Sequence, residues 1–122
     1  MSKFLIFATS NELVRIPEDA IVFIEADGNY SSIKMVDGSE YVLTLQLGQM
    51  EKRLSEMIDN DDKRFIRIGK SLIVNHDFIT FINPSRQKLF LSDCRNFKHE
   101  LSASREALKA LKDFIEKEGY DE

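Results

Sequence analysis

Through most of this chain, apolar and polar residues alternate in short runs, with the two-residue period of a half-buried β-strand. Phe4 to Ala8 is the first such run, Val14 to Pro17 a brief second, and Ala20 to Ala26 a third. The third ends at Asp27-Gly28-Asn29, a cluster of turn formers. From Ser31 to Val36, Ile33 and Met35 alternate with Lys34, Asp37-Gly38 reads as a two-residue hairpin turn, and Glu40 to Leu43 continues the pattern. The period then changes. Leu47, Met50, Leu54 and Met57 or Ile58 recur at helical spacing, which predicts a helix over residues 45–59. Thr44 is its expected cap, Gly48 a weak point, and Asp59-Asn60-Asp61-Asp62 its stop. Strands are expected again at Phe65 to Ile68, Leu72 to Val74, Ile79 to Ile82, Leu89 to Leu91 and Glu100 to Ala103, with a turn at Asn83-Pro84-Ser85. A final helix is expected from Arg105 to about Lys117, with Ala107, Leu108, Leu111, Phe114 and Ile115 on one face and Ser104 in the cap position.

Short sequential strands joined by tight turns imply antiparallel sheets, because parallel crossovers would need helices between most of the strands. The expected fold class is therefore mainly β with two helices, one inserted and one C-terminal. At 122 residues and 43% hydrophobic content the chain suits one domain spanning 1–122, with enough apolar surface for a core. Met35, Met50 and Met57 read as core filler, and Phe65, Phe81 and Phe90 as core aromatics. Tyr30 follows a turn and stays open to a surface role. Glu25, inside an apolar strand, is expected as a buried, paired carboxylate. The longest apolar runs, Phe4 to Ala8 and Ala20 to Ile24, are too short to span a membrane or to form a signal-peptide core. Cys94 is the only cysteine, so no intramolecular disulfide forms and a reducing, cytoplasmic setting is the simplest expectation.

The tripeptide Gly69-Lys70-Ser71 ends the phosphate-binding loop of many nucleotide hydrolases, but the rest of that motif is missing. A P-loop needs a glycine five positions before Gly69, where this chain has Arg64. It also needs a helix after the serine, where Leu72-Ile73-Val74 favours a strand. Other catalytic readings fare no better. His76 and His99 are the only histidines, Cys94 to His99 is not a zinc-ligand spacing, and no nucleophile elbow is present. No catalytic residue, cofactor or metal is expected.

Charge changes the picture more than composition does. The formal net charge is −4, yet it is unevenly spread. Residues 1–62 hold 5 basic against 12 acidic residues (−7), residues 63–112 hold 11 against 4 (+7), and the last ten hold 1 against 5 (−4). A basic middle containing Lys63, Arg64, Arg67, Lys70 and Arg95 is compatible with a nucleic-acid-facing surface, or with cations that simply cover the solvent side of strands. Arg105 stands out further. A cation at the first position of a helix opposes the helix dipole, a local rule broken where function often lies; a surface pair with Glu100 or Asp113 is the structural alternative.

The segments "IVFIEADGNYSSIKMVDGSEYVLTLQLGQMEKRL" and "FIRIGKSLIVNHDFITFI", followed by "LSASR", occur in an order that resembles the LytTR DNA-binding domain family over roughly residues 14 to 112. The resemblance implies a bacterial transcription regulator built of elongated, sandwich-like antiparallel sheets that insert loops into DNA major grooves. Family members usually carry a receiver domain in front, so a chain beginning at Met1 is expected to be a stand-alone member. Carried over residue by residue, the resemblance puts Ser31, Lys70 and Arg105 at base edges. It puts Asn29, Tyr30, Arg67, Ser71 and Ser104 at phosphate or positioning contacts, to which the basic loop adds Arg95. Arg67 alternatively serves in a salt bridge, with Glu25 as the candidate partner. The sequence departs from the family at Gly69, where histidine is common, and at Lys70, where arginine or asparagine is common. Lysine donates to guanine but lacks arginine's fork. Double-stranded DNA is the expected partner, with two copies on direct repeats and a partner regulator or histidine-kinase system component as further expectations. The alternative from another class is an interaction module that restrains another regulator without touching DNA.

Overall fold

In the computed structural model, which describes residues 3–59 and 61–120 (119 and 120 by backbone alone), the described residues form ten strands, two α-helices and two short 3-10 turns. Every strand pair is antiparallel, in three sheets, as the alternation predicts. The chain divides into two compact units, residues 1–77 and 78–122.

In the first unit, β1 (Phe4–Ala8) and β2 (Leu13–Pro17) form a two-stranded ribbon. A five-stranded sheet has the order β5-β4-β3-β7-β6, from β3 (Ile21–Asp27), β4 (Tyr30–Met35), β5 (Glu40–Leu43), β6 (Phe65–Ile68) and β7 (Leu72–Asn75). Strand β3 is central, and Ile21, Val22, Phe23 and Ile24 are all buried. An unbroken apolar run is what a strand covered on both faces requires. One core cluster joins Leu5, Phe7 and Ile16 of the ribbon, Ile24, Ile33 and Ile73 of the sheet, and Leu47, Met50 and Leu54 of α1 (Leu47–Met57). Each large side chain removed from water contributes about 1.5–3 kcal/mol.

Helix α1 begins later than the periodicity predicts. Gln46, not Thr44, is its cap: the Gln46 side chain accepts the N3 amide, while Gln49 Oε1 accepts the Gln46 N–H at 2.8 Å. Leu45 is buried from the connector before the helix, so its apolar character does not mark the helix. The helix ends at Met57, and within the predicted acidic stop Asn60 lies outside the described residues. The turn before β5 has three residues rather than two. Met35 donates to Ser39 O (2.9 Å), and Gly38, at φ +88°, donates to Met35 O (3.0 Å). Asn75, fully buried at the end of β7, donates from Nδ2 to Ile21 O (2.8 Å) and accepts the Asp77 N–H (3.0 Å).

The second unit carries β8 (Ile79–Asn83), β9 (Lys88–Ser92) and β10 (Lys98–Ser102) in the order β10-β9-β8, with α2 (Arg105–Tyr120) against β8. Leu89, Leu91, Leu108 and Leu111 are its buried apolar residues. The expectation that Phe81 is core fails. A register shift in β8 between Ile79 and Phe81 accompanies a ring that is 42% exposed, packed on half-buried Phe90 with centroids 4.7 Å apart. Phe65 and Met57 are half-buried, while Met35 and Met50 are buried as expected. Glu25 is exposed, not a buried carboxylate, because the turn-proximal end of β3 points it to solvent.

Asn75→Ala leaves the Ile21 carbonyl and the Asp77 amide without their partner. It is expected to lower stability by about 1–3 kcal/mol, read as a shift in the urea midpoint with an unchanged slope.

Candidate nucleic-acid interface

Pairing of β3 on both flanks builds the first part of the site. On one side Asp27 pairs with Tyr30 across the Gly28-Asn29 turn. On the other, Glu25 pairs with Leu72, and the Ala26 N–H donates to Ser71 O at 2.8 Å. The turn at Gly69-Lys70-Ser71 therefore lies beside the turn at Gly28-Asn29, at one end of the sheet. Leu43 pairs with Ser31, which brings the connector into α1 to the same end. Gly28 and Gly69 hold left-handed φ values of +63° and +60°, and a Cβ on either would meet open space. Glycine is needed at both for its dihedral, not for clearance; other residues there are disfavoured by roughly 1–2 kcal/mol.

Side chains at this end divide by exposure. Lys70 and Ser71 are exposed, and among the described residues no hydrogen bond or ion pair engages the Lys70 ammonium. Tyr30 is 48% exposed, and Asn29 is exposed with its Oδ1 accepting from Gln46 Nε2 at 3.3 Å. Ser31 departs from its expected place at a base edge. It is 0% exposed and its hydroxyl donates to Leu45 O at 2.7 Å, so it fastens the connector to β4 and presents nothing to a groove. Arg67 is not paired with Glu25. Its Nε donates to Gly69 O (2.9 Å), one Nη to Lys70 O (3.4 Å) and the other Nη to Glu51 Oε1 on α1 (2.9 Å). With Glu25 and Asp27 exposed on the adjoining β3, this sheet end is not a basic patch. A single unpaired ammonium among carboxylates suits one directed donor contact better than a phosphate clamp.

In the second unit, Ser104 caps α2: its Oγ accepts the Ala107 N–H (3.2 Å) and its carbonyl the Leu108 N–H (3.0 Å). Arg105 follows as the first helical residue, exposed and without a side-chain partner among the described residues. Glu100, one of its candidate partners, pairs with Lys98 instead, at 3.8 Å. Strand register decides what lies near Arg105. Lys88 pairs with both Asn83 and Ser102, and the Ala103 N–H approaches Gln87 O at 3.4 Å. The turn at Pro84 to Gln87 is thus beside the start of α2, and it brings exposed Arg86 and Lys88 to the Arg105 end. Sequence reading missed these two, because only the register shows that they share an end with Arg105. Gln87 holds φ +56°, a strain of order 1 kcal/mol at the junction. Arg95 goes the other way: it sits in the β9–β10 loop, at the opposite end of this sheet from Arg105. The nine expected contacts thus fall in two units, with Asn29, Tyr30, Ser31, Arg67, Lys70 and Ser71 in the first and Arg95, Ser104 and Arg105 in the second.

Among the described residues no group of three or more His, Cys, Asp or Glu side chains could hold a metal ion, and no helix is long and apolar enough to cross a membrane. The sequence matches the family model of the LytTr DNA-binding domain over residues 11–116, a match that runs through both units. Among solved structures, the chain is similar to the LytTr DNA-binding domain of a candidate methyl-accepting/DNA response regulator from Bacillus cereus. The likeness has a TM-score of 0.61 at 17% identity and covers 94% of this chain and 97% of that one, which shows the fold. No curated protein matches.

The loop that carries Arg95 is ordered by Asp93. Burial raises the Asp93 pKa, but the amide N–H groups of Asn96, Arg95 and Phe97 and the Asn96 side chain outweigh it and bring the carboxyl down to about 2. A carboxyl depressed on folding stabilises the loop above its unfolded pKa, near 3.8, and that contribution is lost as the pH falls through about 2. A pH titration of the Asp93 carboxyl carbon by NMR is expected to show a midpoint near 2, with the Asn96 and Phe97 amides shifting in the same window; a midpoint near 3.8 contradicts the loop geometry.

Proposed function

The chain belongs to the LytTr DNA-binding domain family, and from that membership we propose that it is a sequence-specific, cofactor-free regulator of transcription that reads double-stranded DNA in the major groove. One observation carries the reading beyond the family. The two cations that the resemblance assigns to base edges, Lys70 and Arg105, are both exposed and unengaged, while the backbone beneath each is held by hydrogen bonds. Long cations on ordered turns reach a groove at a smaller entropy loss than cations on mobile loops. Lys70 donates to guanine O6 or N7 from the Gly69-Lys70-Ser71 turn, and Arg105 reads a second position from the start of α2.

Asn29, Tyr30, Ser71 and Ser104 border these two contacts, and the hydroxyls of Ser71 and Tyr30 are free to donate to phosphate oxygens. Arg86 and Lys88 supply phosphate contacts beside Arg105. Arg95 meets a more distant stretch of backbone, since a strand length separates it from them. Ser31 takes no part in base reading and acts through the connector it fastens. A module of this size touches few base pairs, so two copies on direct repeats give the site its length. The protein acts in the cytoplasm, where a bacterial chromosome lies.

The test is a selection of genomic fragments with purified protein at about physiological salt, followed by titration of the best fragment against salt. A recurring motif with a steep salt dependence supports the proposal; no enrichment overturns it and favours a module that docks on another regulator. Arg105→Ala is expected to weaken binding by about 1–3 kcal/mol and to relax one base position, with the melting temperature unchanged. Loss of the fold in that variant makes Arg105 structural. Arg86→Ala and Lys88→Ala are each expected to flatten the salt slope by about one unit without altering base preference.

A further inference from the structure

We propose that Glu51 and Arg67 form a positioning clamp that sets the direction of the Lys70 side chain, so that helix α1 governs how the Lys70 turn meets DNA. The clamp rests on the DNA-reading proposal above. Its geometry is specific. The Gly69 carbonyl belongs to the peptide plane before the Lys70 Cα, and the Lys70 carbonyl to the plane after it. Arg67 holds both, at 2.9 and 3.4 Å, with two arms of one rigid guanidinium. Fixing the two planes that flank a Cα fixes the direction of its Cα–Cβ bond. The third arm of the guanidinium is turned to Glu51 Oε1 at 2.9 Å, and α1 thereby anchors the fork itself. At the helix's other end of contact, Gln46, its cap, donates to Asn29 in the neighbouring Gly28-Asn29 turn. One helix therefore braces both turns at this end of the sheet.

This assignment separates Arg67 from the phosphate contacts. Three of its five N–H groups are engaged, one from each nitrogen, by two carbonyls and a carboxylate, and its charge is paired with Glu51. Arginine is required for the fork, and lysine in its place keeps the charge but cannot hold two carbonyls and a carboxylate in one plane. Glu51 is half-exposed, so the ion pair itself adds little to stability and its removal is not expected to disturb the fold.

Two measurements test the clamp. In the free protein, backbone relaxation by NMR is expected to show residues 69–71 loosened in Glu51→Ala and in Arg67→Lys, with the rest of the sheet unchanged. Unaltered relaxation at the turn overturns the clamp whether or not the protein reads DNA. On the selected fragment, Glu51→Ala and Arg67→Lys are each expected to bind about tenfold more weakly, with the wild-type salt slope and with preference broadened at the base position that Lys70→Ala also broadens. Adding Glu51→Ala to Lys70→Ala is expected to cost little more, because Glu51 acts through the Lys70 contact. If Arg67→Lys binds as wild type while Arg67→Ala flattens the slope by about one unit, Arg67 is a phosphate contact and the clamp is wrong. Additive losses in the double variant overturn it as well. Wild-type protein that selects no fragment counts against DNA reading itself, and the relaxation data then decide separately whether the clamp holds the turn.

Discussion

Strand β3 is hydrogen-bonded on both sides, and the first half of the molecule is arranged around that constraint. A strand with two antiparallel neighbours must deliver the turn that follows it and the turn that precedes its other neighbour to the same end of the sheet. Here these are the Gly28-Asn29 turn and the Gly69-Lys70-Ser71 turn, brought together from positions 40 residues apart in the chain. The Ala26 to Ser71 hydrogen bond is the last rung of that ladder and sets the spacing of the two turns. The run Ile21 to Ile24 suits this central place, since each of its side chains is buried, as a strand covered on both faces requires.

Around that frame, polar groups are divided between holding the turns and facing solvent. Ser31, Gln46, Arg67 and Asn75 all make hydrogen bonds that hold a turn, a connector or a helix start in place. Lys70, Arg105, Arg86 and Lys88 are exposed, and none of them is tied by a side-chain ion pair among the described residues. Family membership and this division point the same way. A DNA-binding domain needs cations that are free to reach the duplex, on a backbone that is not free to move. The first unit holds its cation among carboxylates, and the second unit gathers several at the start of α2. The two units therefore differ in chemistry, with one directed donor in the first and a cluster of cations in the second.

Much of this was legible in the sequence. The two-residue and helical periods located nearly every strand and both helices, because burial of one face imposes those periods wherever a core forms. Ser104 was readable as a cap, since capping follows from local backbone chemistry. The start of α1 was not, because Leu45 is apolar and buried yet lies outside the helix, and the cap is a glutamine pair rather than the short side chain expected. The two 3-10 turns, Glu18–Ala20 and His76–Phe78, are too short to show any period.

What the sequence determined by itself is the class of fold, the order of its elements, the family, and the two exposed cations at turn and helix start. These depend on local dihedral preference and on burial patterns that repeat along the chain. Tertiary structure alone decided which residues meet. It buried Ser31 against Leu45, exposed Glu25 and Phe81, turned Arg67 inward to the Lys70 turn and Glu51, moved Arg95 to the far end of its sheet, and joined Arg86 and Lys88 to Arg105. Each of these outcomes depends on strand register or on a contact across the sheet. Register is set by how the patterns of two strands and their turn match, and one strand's residues do not show which positions of the other they face.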